Sequence, residues 1–201
     1  MSAFFDALIN ADRTATLALN DFDSAFTDAV MPVLSNRVVM IPLYLALIAY
    51  IWYRLGWKKT LVIVLAVAIS VGAIDQFANL IKHWAMRFRP CWDEYMIDNG
   101  LHILEKKGGK YGFFSAHAAP CSGVATAVLY FFRKWGAGRR ERLLATLLVV
   151  WVAGVSISRV YVGKHFVGDI LVGAVAGIIV AELLCRLMHW AITKFFAKFV
   201  D

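Results

Sequence analysis

Charge is what this chain lacks most. Only 17% of its 201 residues are Asp, Glu, Lys or Arg, where about 25% is usual for a soluble domain. So few charges leave a globule of this size unable to present a wettable surface, and they also exclude a coiled coil and a disordered tail. Cysteine is scarce as well, at three residues, which excludes a small disulfide-stapled secreted fold. No internal repeat and no low-complexity segment occurs. The N-terminus opens Met1-Ser2-Ala3-Phe4 without a basic run and meets Asp6 and Asp12 early, so no cleavable signal is expected and the first span should direct insertion.

What the chain has instead is apolar surface. Hydrophobic residues make up 61%, a share that stays well above the roughly 45–50% of ordinary domains when tyrosine is left out and glycine counted in. Its covering must be lipid. Charge-free runs at 38–53, 61–74 (continuing past Asp75 to 81), 118–132, 143–158 and 166–188, the last interrupted by Asp169 and Glu182, lack the alternation of strands. They predict an all-α integral membrane helical bundle with five transmembrane helices in a single domain. Residues 1–36, with Asp6, Asp12, Asp21, Asp23 and Asp28 spaced through them, cannot cross cheaply and are read as N-terminal interfacial amphipathic helices, a sixth span being the lesser alternative.

The basic residues orient the bundle. Arg54, Lys58, Lys59, Arg133, Lys134, Arg139, Arg140, Arg142, Arg186, Lys194 and Lys198 fall on one side, which marks the cytoplasm and accounts for much of the formal net charge of +7 without calling on nucleic acid. The loops after the second and fourth spans then face outward together. The expected setting is a bacterial-type inner membrane, with the outward face periplasmic or exterior.

Three pieces on that outward side carry chemistry. Lys82 and Arg89 are seven residues apart, two helical turns, so they are expected to project from one face where the second span ends and Pro90 stops the helix. Asp75 and Asn79 extend that face deeper. Alone, the pair also reads as a snorkelling helix end. Next comes Phe114-Ser115-Ala116-His117, where Ser115 can cap the third span and small residues let backbone N–H groups approach an anion. Last is Ser158-Arg159, five residues, His165, three residues, Asp169. His165 and Asp169 are four apart, so the carboxylate can hold one imidazole nitrogen and leave the other lone pair to attack.

Together these residues resemble the type 2 phosphatidic acid phosphatase superfamily, which also contains vanadium haloperoxidases and is marked by K-x6-R-P, P-S-G-H and S-R-x5-H-x3-D. Lys82, Arg89 and Pro90 match the first motif; Ser158, Arg159, His165 and Asp169 match the third completely; in the second, Phe114 stands for proline and Ala116 for glycine. The resemblance implies phosphoryl transfer through a phosphohistidine. His165 would be the nucleophile, Asp169 would fix its tautomer, and His117 would be general acid and then base. Lys82, Arg89, Ser115, Ala116 and Arg159 would bind the phosphate. Fixed cations would replace a metal, so no cofactor is expected, activity should persist without magnesium, and vanadate should inhibit.

The expected partners are the bilayer and a lipid phosphate or diphosphate, with undecaprenyl diphosphate the leading candidate. Lipid A, phosphatidylglycerophosphate and phosphatidic acid are the alternatives within this class. A non-catalytic lipid-phosphate transporter or scaffold is the alternative from another class. The loop 91–114, with Trp92, Tyr95, Tyr111, Phe113 and a run of lysines and glycines, reads equally as a lid over the headgroup or as an aromatic interface belt. Cys91 and Cys121 fall near the outer face and either pair or remain free thiols, the free form being the stronger expectation.

Overall fold

A computed structural model of the chain describes residues 2–22, 24–36, 38–136 and 139–196. These form seven α-helices and one 3-10 turn, with no strand among the described residues: α1 (Ser2–Asn20), α2 (Ala25–Leu34), α3 (Ile41–Ala85), the turn Pro90–Trp92, α4 (Glu94–Asp98), α5 (Ala118–Trp135), α6 (Arg139–Tyr161) and α7 (Val167–Phe195). Three of them, Ile41–Ala85, Glu141–Tyr161 and Val167–Phe195, are long and apolar enough to cross a membrane. Their outward positions, among them Leu45, Val149, Val150, Leu171, Leu183 and Leu187, expose large aliphatic side chains. Such a belt suits hydrocarbon rather than water.

A straight helix of the length of α3 would run about 68 Å, more than twice a bilayer's hydrocarbon core. It is not straight. Gly56 takes φ 78° and ψ 167°, a conformation closed to other residues, and the two arms turn so that Tyr44, Leu47 and Ile51 share one cavity with Ile63, Val67 and Val71. The arms correspond to the first two apolar runs of the sequence. Their core contacts include Ile51, Val62, Ile63 and Ala66, which pack with Phe131 and Phe132 of α5.

The close partner of α5 is α7, and glycine decides how close. Gly173 and Gly177 lie one turn apart on α7, and a Cβ on Gly177 would fall 2.1 Å from the Ala119 carbonyl oxygen and 3.0 Å from its Cα. These are backbone atoms that cannot swing aside. Small residues at four-residue spacing allow such an approach between membrane helices. Gly177→Ala is therefore expected to lower stability by about 1–3 kcal/mol, the range for overpacking. An unchanged thermal midpoint in detergent would contradict the packing.

One sequence expectation is corrected at the outer end and one is extended. First, α3 ends at Ala85, not at Arg89: Met86 turns left-handed at φ 44° and its N–H donates to the Lys82 carbonyl at 3.1 Å. Lys82 is thus on the last turn of the helix while Arg89 belongs to the following loop, and the two do not share a helical face. Second, the N-terminal segment forms two helices, and α1 turns its polar side inward. Thr16 and Asn20 are buried, whereas Phe4, Phe5, Leu8 and Ile9 are exposed. The reason is the backbone beneath: Asn20 Nδ2 donates to the Tyr161 and Val160 carbonyls at 2.6 and 3.3 Å, and Thr16 Oγ1 accepts from the Val167 N–H at 3.1 Å. α1 binds the end of one helix and the start of the next. Asp23 and Arg37 lie outside the described residues.

Candidate active site

Between α6 and α7 the chain makes the short connection 162–166. Arg159 is in the last turn of α6, and its carbonyl accepts the N–H groups of both Lys164 and His165, at 3.0 and 3.1 Å. That fold-back places His165 directly before α7, where Asp169 in the first turn reaches it: Nδ1 of His165 lies 3.4 Å from Oδ2 of Asp169. The same Oδ2 accepts the Phe166 N–H at 3.1 Å, and Oδ1 accepts from Arg87 Nη1 at 2.8 Å. Both His165 and Asp169 are buried, Asp169 completely. Burial pushes the His165 imidazole below its ordinary value, against the opposing pull of Asp169, so the ring is held neutral and its lone pair available.

Arg89 enters the same cluster from the loop after α3. Its N–H donates to the Lys110 carbonyl at 2.8 Å and its Nε to the Tyr111 carbonyl at 3.1 Å. Its guanidinium is shifted below the usual value by burial and, in part, by Arg159 nearby. Gly112 fills the space where these parts meet. A Cβ there would lie 2.9 Å from Arg89 Cγ, 3.3 Å from Asp169 Oδ2 and 3.5 Å from His165 Nδ1, so glycine at 112 is what lets the loop pass over the histidine–carboxylate pair.

The second motif packs against the pair from α5. The Ser115 N–H donates to the Asp169 carbonyl at 3.1 Å, and its hydroxyl oxygen accepts from the N–H groups of His117 and Ala118 at 3.4 and 3.3 Å. Ser115 is fully buried and its hydroxyl holds the turn that leads into α5, whose N-cap is His117. Ala116 and His117 line a cavity of about 420 Å³ with Asp75, Met40, Tyr44 and Val155. Lys82 is half-buried in the last turn of α3.

Several residues of the site were not singled out from sequence. Glu105 grips Arg159 with both oxygens, at 3.0 and 3.1 Å, and also accepts from Ser35 at 3.4 Å. Lys164, buried, donates to the Lys106 carbonyl and is shifted below its ordinary value chiefly by burial. Arg87 bridges Asp169 and, at 2.6 Å, Asp12. No local signal distinguishes these from the solvated charges around them, because each partner comes from a distant part of the chain. Cys91, Cys121 and Cys185 are buried, and none is in a disulfide among the described residues.

The model of the PAP2 superfamily matches residues 59–193, a stretch that contains every residue of the three motifs. The chain belongs to the PAP2 superfamily. Among curated PAP2 relatives it is 31% identical, over 85% of its own length and 73% of the relative's, to a lipid A 4'-phosphatase of Bacteroides thetaiotaomicron. It is 29% identical, over 72% of its length and 64% of the relative's, to a putative undecaprenyl-diphosphatase of Escherichia coli. A transmembrane PAP2-type phosphatidylglycerolphosphate phosphatase from Bacillus subtilis shares its fold, with a TM-score of 0.71 over 94% of this chain and 89% of that one at 22% identity. As a PAP2 protein with long apolar helices, the chain is a multi-pass membrane lipid phosphatase.

Proposed function

We propose that the protein removes the 4'-phosphate of a lipid A-like glycolipid through a phosphohistidine. The observation that carries the chemistry is the buried His165–Asp169 pair beside the buried Arg159 and the half-buried Arg89. His165 Nε2 attacks phosphorus, His117 protonates the departing sugar oxygen, and water activated by His117 then cleaves the P–N bond. Arg89, Arg159 and Lys82, with the buried Lys164 nearby, neutralise the phosphoryl oxygens, which need positioning more than covalent help. With cations fixed in the protein to neutralise the phosphoryl group, turnover is expected to persist in chelator. The cavity beside His117, walled by Leu34, Met40, Tyr44 and Pro120, suits the apolar part of a leaving group. We read the two arms of α3 with α5, α6 and α7 as five crossings, and the excess of basic residues in the loops at the opposite ends favours a site at the periplasmic or outer face.

The similarity to a lipid A 4'-phosphatase favours this substrate over undecaprenyl diphosphate, and Glu105 adds a physical reason. A monoester brings one anionic group to Arg159. A diphosphate brings a second negative charge towards the Glu105 carboxylate, which would repel it. The E. coli relative keeps undecaprenyl diphosphate as the second reading. Phosphate release from lipid A, undecaprenyl diphosphate, phosphatidylglycerophosphate and phosphatidic acid, measured with and without chelator, decides between them. Fastest turnover is expected on lipid A, unchanged by EDTA; faster turnover on undecaprenyl diphosphate would select the second reading.

Substrate must also displace Glu105 from Arg159 or share it. The segment 105–112 threads the cluster through Glu105, Lys106, Lys110, Tyr111 and Gly112, which favours the lid over the interface belt for loop 91–114. Glu105→Gln keeps the shape and removes the charge-assisted bonds. It is expected to tighten vanadate inhibition and lower KM by about three- to tenfold. A weaker vanadate effect would mean instead that Glu105 holds Arg159 in its working position.

A further inference from the structure

Arg87 appears in none of the three motifs, yet its guanidinium joins the site to the N-terminal helix. Nη1 donates to Asp169 Oδ1 at 2.8 Å, Nη2 donates to Asp12 Oδ2 at 2.6 Å, and its plane lies over the Phe166 ring at 4.1 Å. Asp12 is itself tied to the catalytic connection, because its Oδ1 accepts the Gly168 N–H at 2.7 Å. Both terminal nitrogens of Arg87 are thus engaged by carboxylates, and its face is covered by an aromatic ring. A guanidinium so occupied is poorly placed to grip phosphate.

The hydrogen-bond logic around Asp169 shows what Arg87 does there. An arginine and a backbone N–H can only donate. Arg87 on Oδ1 and Phe166 N–H on Oδ2 therefore make Asp169 accept at both oxygens, and the charged guanidinium favours the ionised carboxylate. The remaining neighbour, His165 Nδ1, must then be the donor. That puts the imidazole proton on the inner nitrogen and the lone pair on Nε2, the tautomer needed for attack.

Charge follows the same line. When Nε2 bonds to phosphorus, the P–O bond to the leaving group breaks and the proton for the leaving oxygen comes from His117. The ring keeps its Nδ1 proton and becomes formally positive. Asp169 and Arg87 alone would sum to zero beneath it. Asp12 makes the group net negative by one and so balances the cation that forms.

We infer that Arg87 and Asp12 are positioning residues that fix the His165 tautomer and balance the phosphohistidine charge through Asp169, which makes α1 a working part of the active site. This rests on the phosphohistidine reading above. Because α1 also caps the start of α7 through Thr16, the capping and charge roles can be separated by mutation.

The test uses the full-length protein in detergent, the lipid of the above panel that the wild type hydrolyses, and orthovanadate as the phosphate probe. Arg87→Gln is expected to lower kcat about a hundredfold while KM and vanadate inhibition shift less than about threefold, and Arg87→Lys to recover about a tenth of the wild-type rate. Asp12→Asn should lower kcat about tenfold, and Thr16→Ala, which removes a neutral cap one turn away, about threefold or less. KM and vanadate inhibition weakened in step by Arg87→Gln would make Arg87 a phosphate ligand and overturn the inference. Equal losses in Asp12→Asn and Thr16→Ala would overturn it too, by reducing Asp12 to a helix cap; this comparison stands even where Arg87→Gln fails to fold. His165→Ala with wild-type turnover would instead refute the underlying phosphohistidine reading, whatever the Arg87 variants do.

Discussion

Replacing His165 with alanine is expected to cost at least about a thousandfold in kcat, the scale of losing a covalent nucleophile. Nothing else in the cluster can take its place. Asp169 is fully buried, with both oxygens engaged by the Phe166 N–H, Arg87 and His165, so it presents no exposed oxygen to phosphorus. Binding should survive, because Arg89 and Arg159 are held by Tyr111 and Glu105, not by His165. The variant should therefore retain vanadate affinity within a few fold and lose the acid-labile phosphoryl adduct that rapid quenching of the wild type would trap. Turnover within tenfold of wild type would remove His165 from the mechanism.

The second large effect is expected at Asp169→Asn, about a thousandfold to ten-thousandfold in kcat. An asparagine offers one accepting oxygen and one donating nitrogen where the native carboxylate accepts three donors. If its oxygen stays with Arg87, its NH₂ confronts the Phe166 N–H and pushes His165 to accept at Nδ1. The proton then moves to Nε2 and the attacking lone pair is gone. Loss of the correct tautomer in a serine-protease triad costs on the order of 10⁴, and the geometry here is the same in kind. Because Asp169 is fully buried, the unsatisfied donors should also lower stability by about 1–3 kcal/mol. Kinetics of Asp169→Asn within tenfold of wild type would mean that the tautomer is set elsewhere.

Much of this site is legible in the chain itself. The i,i+4 relation of His165 and Asp169 needs only a helix starting near residue 167, and the spacing of Arg159 to His165 needs only a short connection. The apolar runs mark α5, α6, α7 and the two arms of α3, since hydrophobic length is a local property. Less legible was the end of α3: the reading from Pro90 carried the helix to Arg89, whereas Met86 had already turned it left-handed. A proline excludes helix but does not say how many residues earlier the chain leaves it.

The sequence by itself determined the lipid-facing composition, the helical runs and the three motifs, because each depends on neighbours within a turn or two. Only the tertiary structure decided which charges meet at the site. Arg87 meets Asp169 across 82 residues, Glu105 meets Arg159 across 54, and Asp12 meets the Gly168 N–H across 156. On paper these are surface-type acids and bases like the others. They acquire these partners because close packing of α5 against α7, permitted by Gly177, and the inward polar face of α1 bury backbone groups and charges that must be satisfied.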